Sequence, residues 1–282
     1  MNWWNNIPKH INPNIVEIGS FQLRYYGLMY VVAFAIVYLL ALYRVKNEKY
    51  KIPKESLQNY FVWAIIGVLV GGRLGYVLFY NFEYFVTKPL EIICPFDLSN
   101  GFHYVGISGM SYHGGVIGVI LVSILFCRKY RINFWYLADL LCPAIPLGYT
   151  FGRLGNFING ELYGRVTTVP WGMYFPLDPT HQLRHPSQLY EAFFEGIFLF
   201  LILWSLRKTK VFDGFLFCLY LIGYGIVRFF IEFVREPDSQ LGFVFGSFTM
   251  GQTLCVCMIF IGVFILIIRI NRITIELLKR KG

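Results

Sequence analysis

Apolar residues in this chain fall in long blocks separated by short charged stretches, a pattern that predicts helices crossing a membrane rather than the core of a soluble domain. Seven blocks stand out, at about 25–43, 57–80, 112–127, 134–151, 187–206, 214–232 and 247–268. A run of about 18 or more apolar residues is long enough to cross the hydrocarbon core as a helix. Water is absent there, so each crossing must satisfy its own backbone hydrogen bonds, which helices do. The third and fourth blocks are the short ones. No fixed-period repeat or low-complexity tract interrupts the series. The expected architecture is a single all-α polytopic membrane domain over residues 1–282, with about seven transmembrane helices.

Composition agrees with the pattern. Of 282 residues, 56% are hydrophobic and only 15% charged, against about 25% charged in soluble chains. The net charge of +9 would suggest nucleic acid in a soluble protein. Here it reads as lysine and arginine gathered in loops on one side of a membrane, and no nucleic-acid partner is expected. Met1-Asn2-Trp3-Trp4 lacks the basic n-region of a signal peptide, so the first block is expected to be a retained span. The six cysteines form no CxxC pair and no cluster with histidine, so no metal site is expected and most read as small buried hydrophobes.

Orientation follows from the basic residues. Arg44, Lys46, Lys49, Lys51 and Lys54 lie between the first two blocks, Arg128, Lys129 and Arg131 between the third and fourth, and Arg207, Lys208 and Lys210 between the fifth and sixth. Arg269, Arg272, Lys279, Arg280 and Lys281 end the chain. With seven spans all four groups fall on one side, which is expected to be cytoplasmic. The N-terminus is then outside and the C-terminus inside. The longer, less basic loops at about 81–111 and 152–186 are expected to form a small extracytoplasmic head.

Several polar groups interrupt the apolar blocks. In Gly152-Arg153-Leu154-Gly155-Asn156 through Glu161 and Gly164, Arg153 and Asn156 are three apart and can share a helix face. Arginine presents a planar fork of donors suited to phosphate. A pocket for an anionic headgroup competes with a glycine-capped helix end whose arginine snorkels to the interface. Tyr224, Arg228 and Glu232 are four apart in an otherwise apolar span, with Arg235 three further on. A charge at the bilayer centre costs about 2.5–3.5 kcal/mol on insertion scales, so such residues face a cavity or a partner. Simple neutralisation of Arg228 by Glu232 is the plainer alternative.

Tyr112-His113-Gly114-Gly115 opens the third block. The glycines suit close helix packing, while histidine suits proton exchange near neutrality. His185-Pro186 opens the fifth, with His185 expected as cap, and Glu191 and Glu195 are placed to pair with interior arginines. Gly71-Gly72-Arg73 reads as a packing stripe with one polar member. Tyr25, Tyr26 and Tyr30 read as an aromatic belt, from which the Tyr26 hydroxyl can reach a headgroup. Polar groups converging at one depth from separate helices suggest one site for an anionic amphiphile.

These stretches resemble the bacterial prolipoprotein diacylglyceryl transferases, over nearly the whole chain. Gly152 to Gly164 is similar to the family signature. Tyr26 to Tyr30, Gly71 to Asn81, His113-Gly114-Gly115, His185 to Glu191 and Tyr224 to Glu232 follow the family's motif order. The resemblance implies seven transmembrane helices, an outward N-terminus and a small outer head in the bacterial inner membrane, with the active site toward the outer face. It implies transfer of a diacylglyceryl group from phosphatidylglycerol to the lipobox cysteine of a prolipoprotein, with release of glycerol 1-phosphate and no cofactor. In that chemistry His113 is the candidate base, with His185 second, and Arg153 and Arg228 hold the phosphate. Glu161 and Glu232 orient the arginines. Asn156, Tyr26, Tyr224, Gly164 and His185 contact substrate. The rival from another class is a transporter or channel for an anionic solute. It fits intramembrane arginines but is expected to show an internal repeat, and none is visible.

Overall fold

The apolar blocks fold as helices, the only way an isolated segment satisfies its backbone away from water. The computed structural model describes residues 3–18, 21–48, 50–93, 96–97, 103–104, 109–236, 243–245 and 248–279. Lys49, Arg280, Lys281 and, within the expected 81–111 loop, residues 94–95, 98–102 and 105–108, Cys94 among them, lie outside the described residues. Among the described residues, five helices are long and apolar enough to cross a membrane: Tyr25–Asn47, Lys54–Tyr80, Tyr112–Tyr130, Ser187–Leu206 and Met250–Ile275. A shorter apolar helix spans Phe215–Ile231. Their apolar side chains point outward in large numbers: Val31 is 65% exposed and Phe260 70%, which suits a lipid surround.

The fourth block is not one helix. It divides into α5 (Phe134–Leu141) and α6 (Ile145–Asn159) around Cys142-Pro143-Ala144. Pro143 and Pro146 have no N–H to donate, and Pro146 sits in the first turn of α6, where none is needed. Helix α6 then runs past the expected end at 151. It stops where Gly160 takes a left-handed backbone (φ 70°) that a side chain would strain. Arg153 and Asn156 therefore lie within a helix, not in the loop after it.

Two compact units are present. The first comprises residues 1–49 and 138–282. It holds α1 (Tyr25–Asn47), α6, α7 (Ser187–Glu191), α8 (Leu199–Leu206), α9 (Phe215–Ile231) and α10 (Met250–Lys279). Between α7 and α8 the chain makes a π-helical turn, Ala192–Phe198. The helix starts at Ser187 without a side-chain cap, so the capping expected of His185 is not made. Helix α9 ends at Ile231, short of the expected 232, and Arg235 sits beyond it, paired by a backbone bridge to Gly164.

Two sets of contacts define the ends of this unit. At one end the last turn of α1 meets α5 and the start of α9. Fully buried Arg44 donates to the carbonyls of Asp139 (2.6 Å), Leu140 (2.8 Å) and Arg207 (2.8 Å), and pairs with Glu48. The Asp139 carboxylate accepts from the N–H groups of Gly214 (2.7 Å) and Phe217 (3.1 Å), which open α9. At the other end, the start of α1, the end of α6, α7 and the end of α9 come together around Arg153 and Arg228. Over that end a core of Phe157, Met173 and Phe175 packs with Ile7, Ile11, Tyr163 and Leu189. The segment Trp3–His10 is stitched to it by Asn5, whose side chain donates to the Gly172 carbonyl at 2.6 Å.

The second unit, residues 50–137, is built on α2 (Lys54–Tyr80) and α4 (Tyr112–Tyr130), with the short α3 (Phe82–Thr87) between them. Their backbones approach at glycines. A Cβ on Gly71 would lie 2.7 Å from the Gly118 Cα, and one on Gly114 2.9 Å from the Gly75 Cα. Only hydrogen fits at these positions, so the glycine stripe read as helix packing does pack helices. Arg73, the polar member of that stripe, donates to the carbonyls of Glu91 (2.7 Å) and Ile92 (2.8 Å) and so ties down the short turn Pro89–Ile92.

Candidate active site

The first unit holds a buried ionic cluster made by three separate helical segments. Helix α6 contributes Tyr149, Arg153 and Asn156, spaced so that all three share a face. The α7 segment contributes Glu191, and Glu195 follows one turn later on the π-helical stretch. Helix α9 contributes Arg228, and Glu232 caps its end. A π turn rotates the residues that follow it relative to a regular helix, and such turns recur at functional sites. Here it accompanies two carboxylates aimed at the same arginine. Gly196 on this turn is packed against the Thr150 side chain, so α6 and the turn touch without intervening bulk.

Glu191 is the hub. Its Oε2 forms an ion pair with Arg153 Nε at 2.8 Å and accepts from Arg228 Nη1 at 2.9 Å. Arg228 also meets Glu195 at 3.4 Å and makes a tight pair with Glu232. Arg235 Nη1 lies 3.7 Å from Glu232. Glu191 and Glu195 are wholly buried, and Arg228 is 8% exposed. Removing one partner of such a buried pair costs about 3–5 kcal/mol, because the other charge is left without compensation. The cluster therefore holds its members rigidly.

Arg153 is held differently from Arg228. Its Nε donates to the Tyr149 hydroxyl at 2.6 Å while pairing electrostatically with Glu191, and its guanidinium lies 4.8 Å from the Tyr149 ring centroid. Nη1 donates to Asn156 Oδ1 at 3.2 Å. Nη2 has no hydrogen-bond partner among the described residues. Arg153 is thus fixed along one edge and open along the other, whereas Arg228 is engaged by three carboxylates. Asn156 is positioned in turn by its Nδ2, which donates to Glu161 Oε1 at 2.8 Å. Glu161, expected to orient an arginine, instead holds Asn156, and acts on Arg153 through it. The Tyr26 hydroxyl pairs with that of Tyr30 at 3.0 Å and also lies against Asn156 and Glu161. The Tyr224 ring meets the Tyr149 ring edge-on at 5.9 Å.

The other expected site residues sit around this cluster or apart from it. Gly164 makes a backbone junction: its N–H donates to the His185 carbonyl at 2.8 Å, and a Cβ there would sit 2.8 Å from the His185 Cβ. His185 Nδ1 is 3.2 Å from the Tyr190 hydroxyl, which accepts from Trp171 Nε1 at 2.7 Å. Burial lowers the His185 pKa and favours the neutral imidazole. His113 belongs to the second unit. It lies exposed in the first turn of α4, where the Ser111 hydroxyl accepts from Gly114 N–H at 3.2 Å and caps the helix. Outside the cluster, Asp178 is fully buried. Burial opposes its ionisation, but the Arg184 fork at 2.8 and 3.0 Å and the Thr180 hydroxyl hold its carboxyl well below the usual range.

Sequence reasoning did not single out Tyr149, Gln188, Thr249 or Asp178. Tyr149 had a signal, since it stands four residues before Arg153 on one helix face. An expected helix end at 151 hid it. Gln188 is fully buried and donates through Nε2 to the Glu161 carbonyl at 2.7 Å. Thr249 Oγ1 donates to Glu232 Oε2 at 3.1 Å, a contact between residues 17 apart that local spacing does not reveal.

Residues 13–268 match the family described as prolipoprotein diacylglyceryl transferase. The chain is 58% identical to the phosphatidylglycerol--prolipoprotein diacylglyceryl transferase of Chlorobaculum tepidum, over 94% of this chain and 92% of that protein. It is 49% identical to the protein of the same name from Campylobacter hominis, over 93% of this chain and 92% of that one. It is 47% identical to the one from Aliarcobacter butzleri, over 94% and 97% respectively.

Proposed function

This chain belongs to the prolipoprotein diacylglyceryl transferase family, and from that premise we propose how its residues carry the reaction. It is a multi-pass membrane transferase that moves the diacylglyceryl group of phosphatidylglycerol to the cysteine thiol of a prolipoprotein. The lipobox cysteine sulfur, as thiolate, attacks the glyceryl carbon that bears the phosphate. The carbon–oxygen bond breaks, its electron pair leaves with glycerol 1-phosphate, and a carbon–sulfur bond forms. The thiol proton goes to a base, since a thiol of pKa about 8.5 is largely protonated at neutrality.

Arg153 is the phosphate clamp. The observation that carries this reading is its open Nη edge, held in place by Tyr149, Glu191 and Asn156 along the other. Charge grows on the phosphate as the bond breaks, so donors fixed in advance favour the transition state over the ground state. Arg228, engaged by Glu191, Glu195 and Glu232, supplies positive charge at short range and keeps Glu191 aimed at Arg153. Asn156, Tyr26 and Tyr224 border the headgroup. Glu161 and Glu232 act as positioning residues, as do Gly164 and His185 through the backbone junction beneath the cluster.

His113 is the base, because an arginine with pKa above 12 is a poor one. The N-terminus lies outside and the C-terminus in the cytoplasm, with seven crossings counted by joining α5 to α6. The segment from Gly160 to Pro186 with Trp3–His10 is the outer head, and the membrane is the inner one. Support for this sidedness is the gathering of Arg44, Lys46, Lys208 and Lys210 at the end of the first unit opposite Arg153.

The test is the initial rate of lipidation of a lipobox peptide by purified protein in phosphatidylglycerol vesicles, across pH. His113→Ala is expected to lower the maximal rate strongly, with little change in the lipid concentration needed. A small effect of His113→Ala beside a far larger loss in His185→Ala would move the base to His185.

A further inference from the structure

The ionic cluster leaves two buried acceptors without donors. Among the described residues, Glu191 Oε1 and Gln188 Oε1 have no hydrogen-bond partner, although both side chains are fully buried. Neither lapse is local looseness. The second polar atom of each residue is engaged: Gln188 Nε2 donates to the Glu161 carbonyl at 2.7 Å, and Glu191 Oε2 accepts from Arg228 and pairs with Arg153. A buried acceptor left alone costs about 1–3 kcal/mol, more when charged, so native structures keep few of them.

The two are three residues apart on one helix, hence on neighbouring turns of one face. Their engaged atoms belong to one connected chain of contacts: Gln188 to the Glu161 backbone, Glu161 to Asn156, Asn156 to Arg153, and Arg153 to Glu191. The open Nη edge of Arg153 belongs to the same chain. Donors suited to an anion and two buried acceptors that need hydroxyl donors thus belong to one connected set of contacts.

From this pairing we infer that Gln188 and Glu191 read the headgroup of the lipid: their unpaired oxygens accept from the two free hydroxyls of the terminal glycerol while Arg153 holds the phosphate. The inference rests on the transferase reading above and adds to it a basis for headgroup choice. Lipids with the same phosphodiester but no hydroxyl donors leave both acceptors buried and unpaired, and a site built to bond a hydroxyl rejects analogues lacking it for that reason. Lipids with an ammonium headgroup bring a cation toward Arg228 and Arg153 and are disfavoured as well.

The experiment compares kcat/KM for lipobox-peptide lipidation in phosphatidylcholine vesicles doped with one of three lipids. These are phosphatidylglycerol, its single-hydroxyl analogue phosphatidylpropane-1,3-diol, and phosphatidylethanol, which has none. Wild-type protein is expected to prefer phosphatidylglycerol to phosphatidylethanol by about tenfold or more, with the single-hydroxyl lipid between them. Gln188→Leu removes one of the two acceptors and is expected to lower the phosphatidylglycerol-to-phosphatidylethanol ratio by about threefold, to that of the single-hydroxyl lipid in wild type. The ratio is internal to each preparation, so partial loss of folded protein does not disturb it. Equal use of the three lipids by wild type overturns the inference, and so does a Gln188→Leu variant that loses activity on all three with the ratio intact. Absence of lipidation with phosphatidylglycerol itself is a different result, for it would remove the transferase reading and the headgroup reading with it.

Discussion

Replacing Arg153 by lysine keeps the charge and removes the fork, so it separates the two things the site asks of that residue. Arginine here makes contacts to Tyr149 (2.6 Å), Glu191 (2.8 Å) and Asn156 (3.2 Å) and still has Nη2 to offer. An ammonium is a point charge on a flexible stem. It can remain beside Glu191, so the full cost of about 3–5 kcal/mol for an orphaned buried charge is not incurred. It cannot hold Glu191, Asn156 and a phosphate together in one plane. Loss of one charge-assisted contact is worth about 1.5–3 kcal/mol, and removal of a preorganised donor to a developing anion costs about 10²–10³ in rate. The expected result is a variant that folds, with at most a moderate drop in thermal midpoint, and lipidates peptide about 10²–10³ times more slowly. The assay is the initial rate on purified, reconstituted protein, with midpoints recorded on the same samples. The control is Arg131→Lys at the exposed turn after α4, expected to be indistinguishable from wild type. A rate for Arg153→Lys within about threefold of wild type would refute the clamp and leave Arg153 as an interfacial arginine.

Two further outcomes follow from residues outside the cluster. Asp178→Asn removes the partner of buried Arg184 and is expected to destabilise the segment around it by about 3–5 kcal/mol, read as faster proteolysis between 160 and 186 and a lower thermal midpoint. Since the Asp178 carboxyl is held below its usual value, its contribution is present above an unfolded pKa of about 3.9. It is lost as pH falls below that toward the folded value, so the difference between wild type and variant should shrink on acidification. For topology, single cysteines placed at Arg131 or Lys208 are expected to resist a membrane-impermeant thiol reagent in intact cells. One placed at the exposed neighbour Pro179 is expected to react, and the reverse pattern would put the site on the other side.

The helical blocks and the motif residues were legible because intramembrane charge is rare and costly, so Arg153, Arg228 and Glu232 stand out against apolar neighbours without any structural knowledge. The shared face of Arg153 and Asn156 followed from spacing alone, and the 3.2 Å contact bears it out. What spacing did not show has identifiable causes. The break at Cys142-Pro143-Ala144 lies inside an unbroken apolar run, and hydropathy does not register a missing N–H. Proline inside a membrane helix also has more than one outcome, a kink or a stop. The π turn at Ala192–Phe198 leaves no compositional mark, since its extra residue is visible only in how Glu191 and Glu195 face Arg228. The family resemblance implies that Glu161 orients the arginines. In the fold an amide stands between them, and Asn156 transmits the constraint. Gln188 drew no attention because a lone glutamine at a helix start is ordinary. Its significance lies in full burial with one oxygen left over.

The most direct test of the account is the mass of the product. Purified protein in vesicles containing phosphatidylglycerol is incubated with a lipobox peptide, and the peptide and the aqueous phase are analysed together. The expected result is a peptide heavier by one diacylglyceryl group on the cysteine, with an equal amount of glycerol phosphate released. Both should be lost when that cysteine is replaced by serine and both sharply slowed in Arg153→Lys. An unmodified peptide, with an anionic solute crossing the vesicle membrane instead, would contradict the account and turn the arginine cluster into a conduction site.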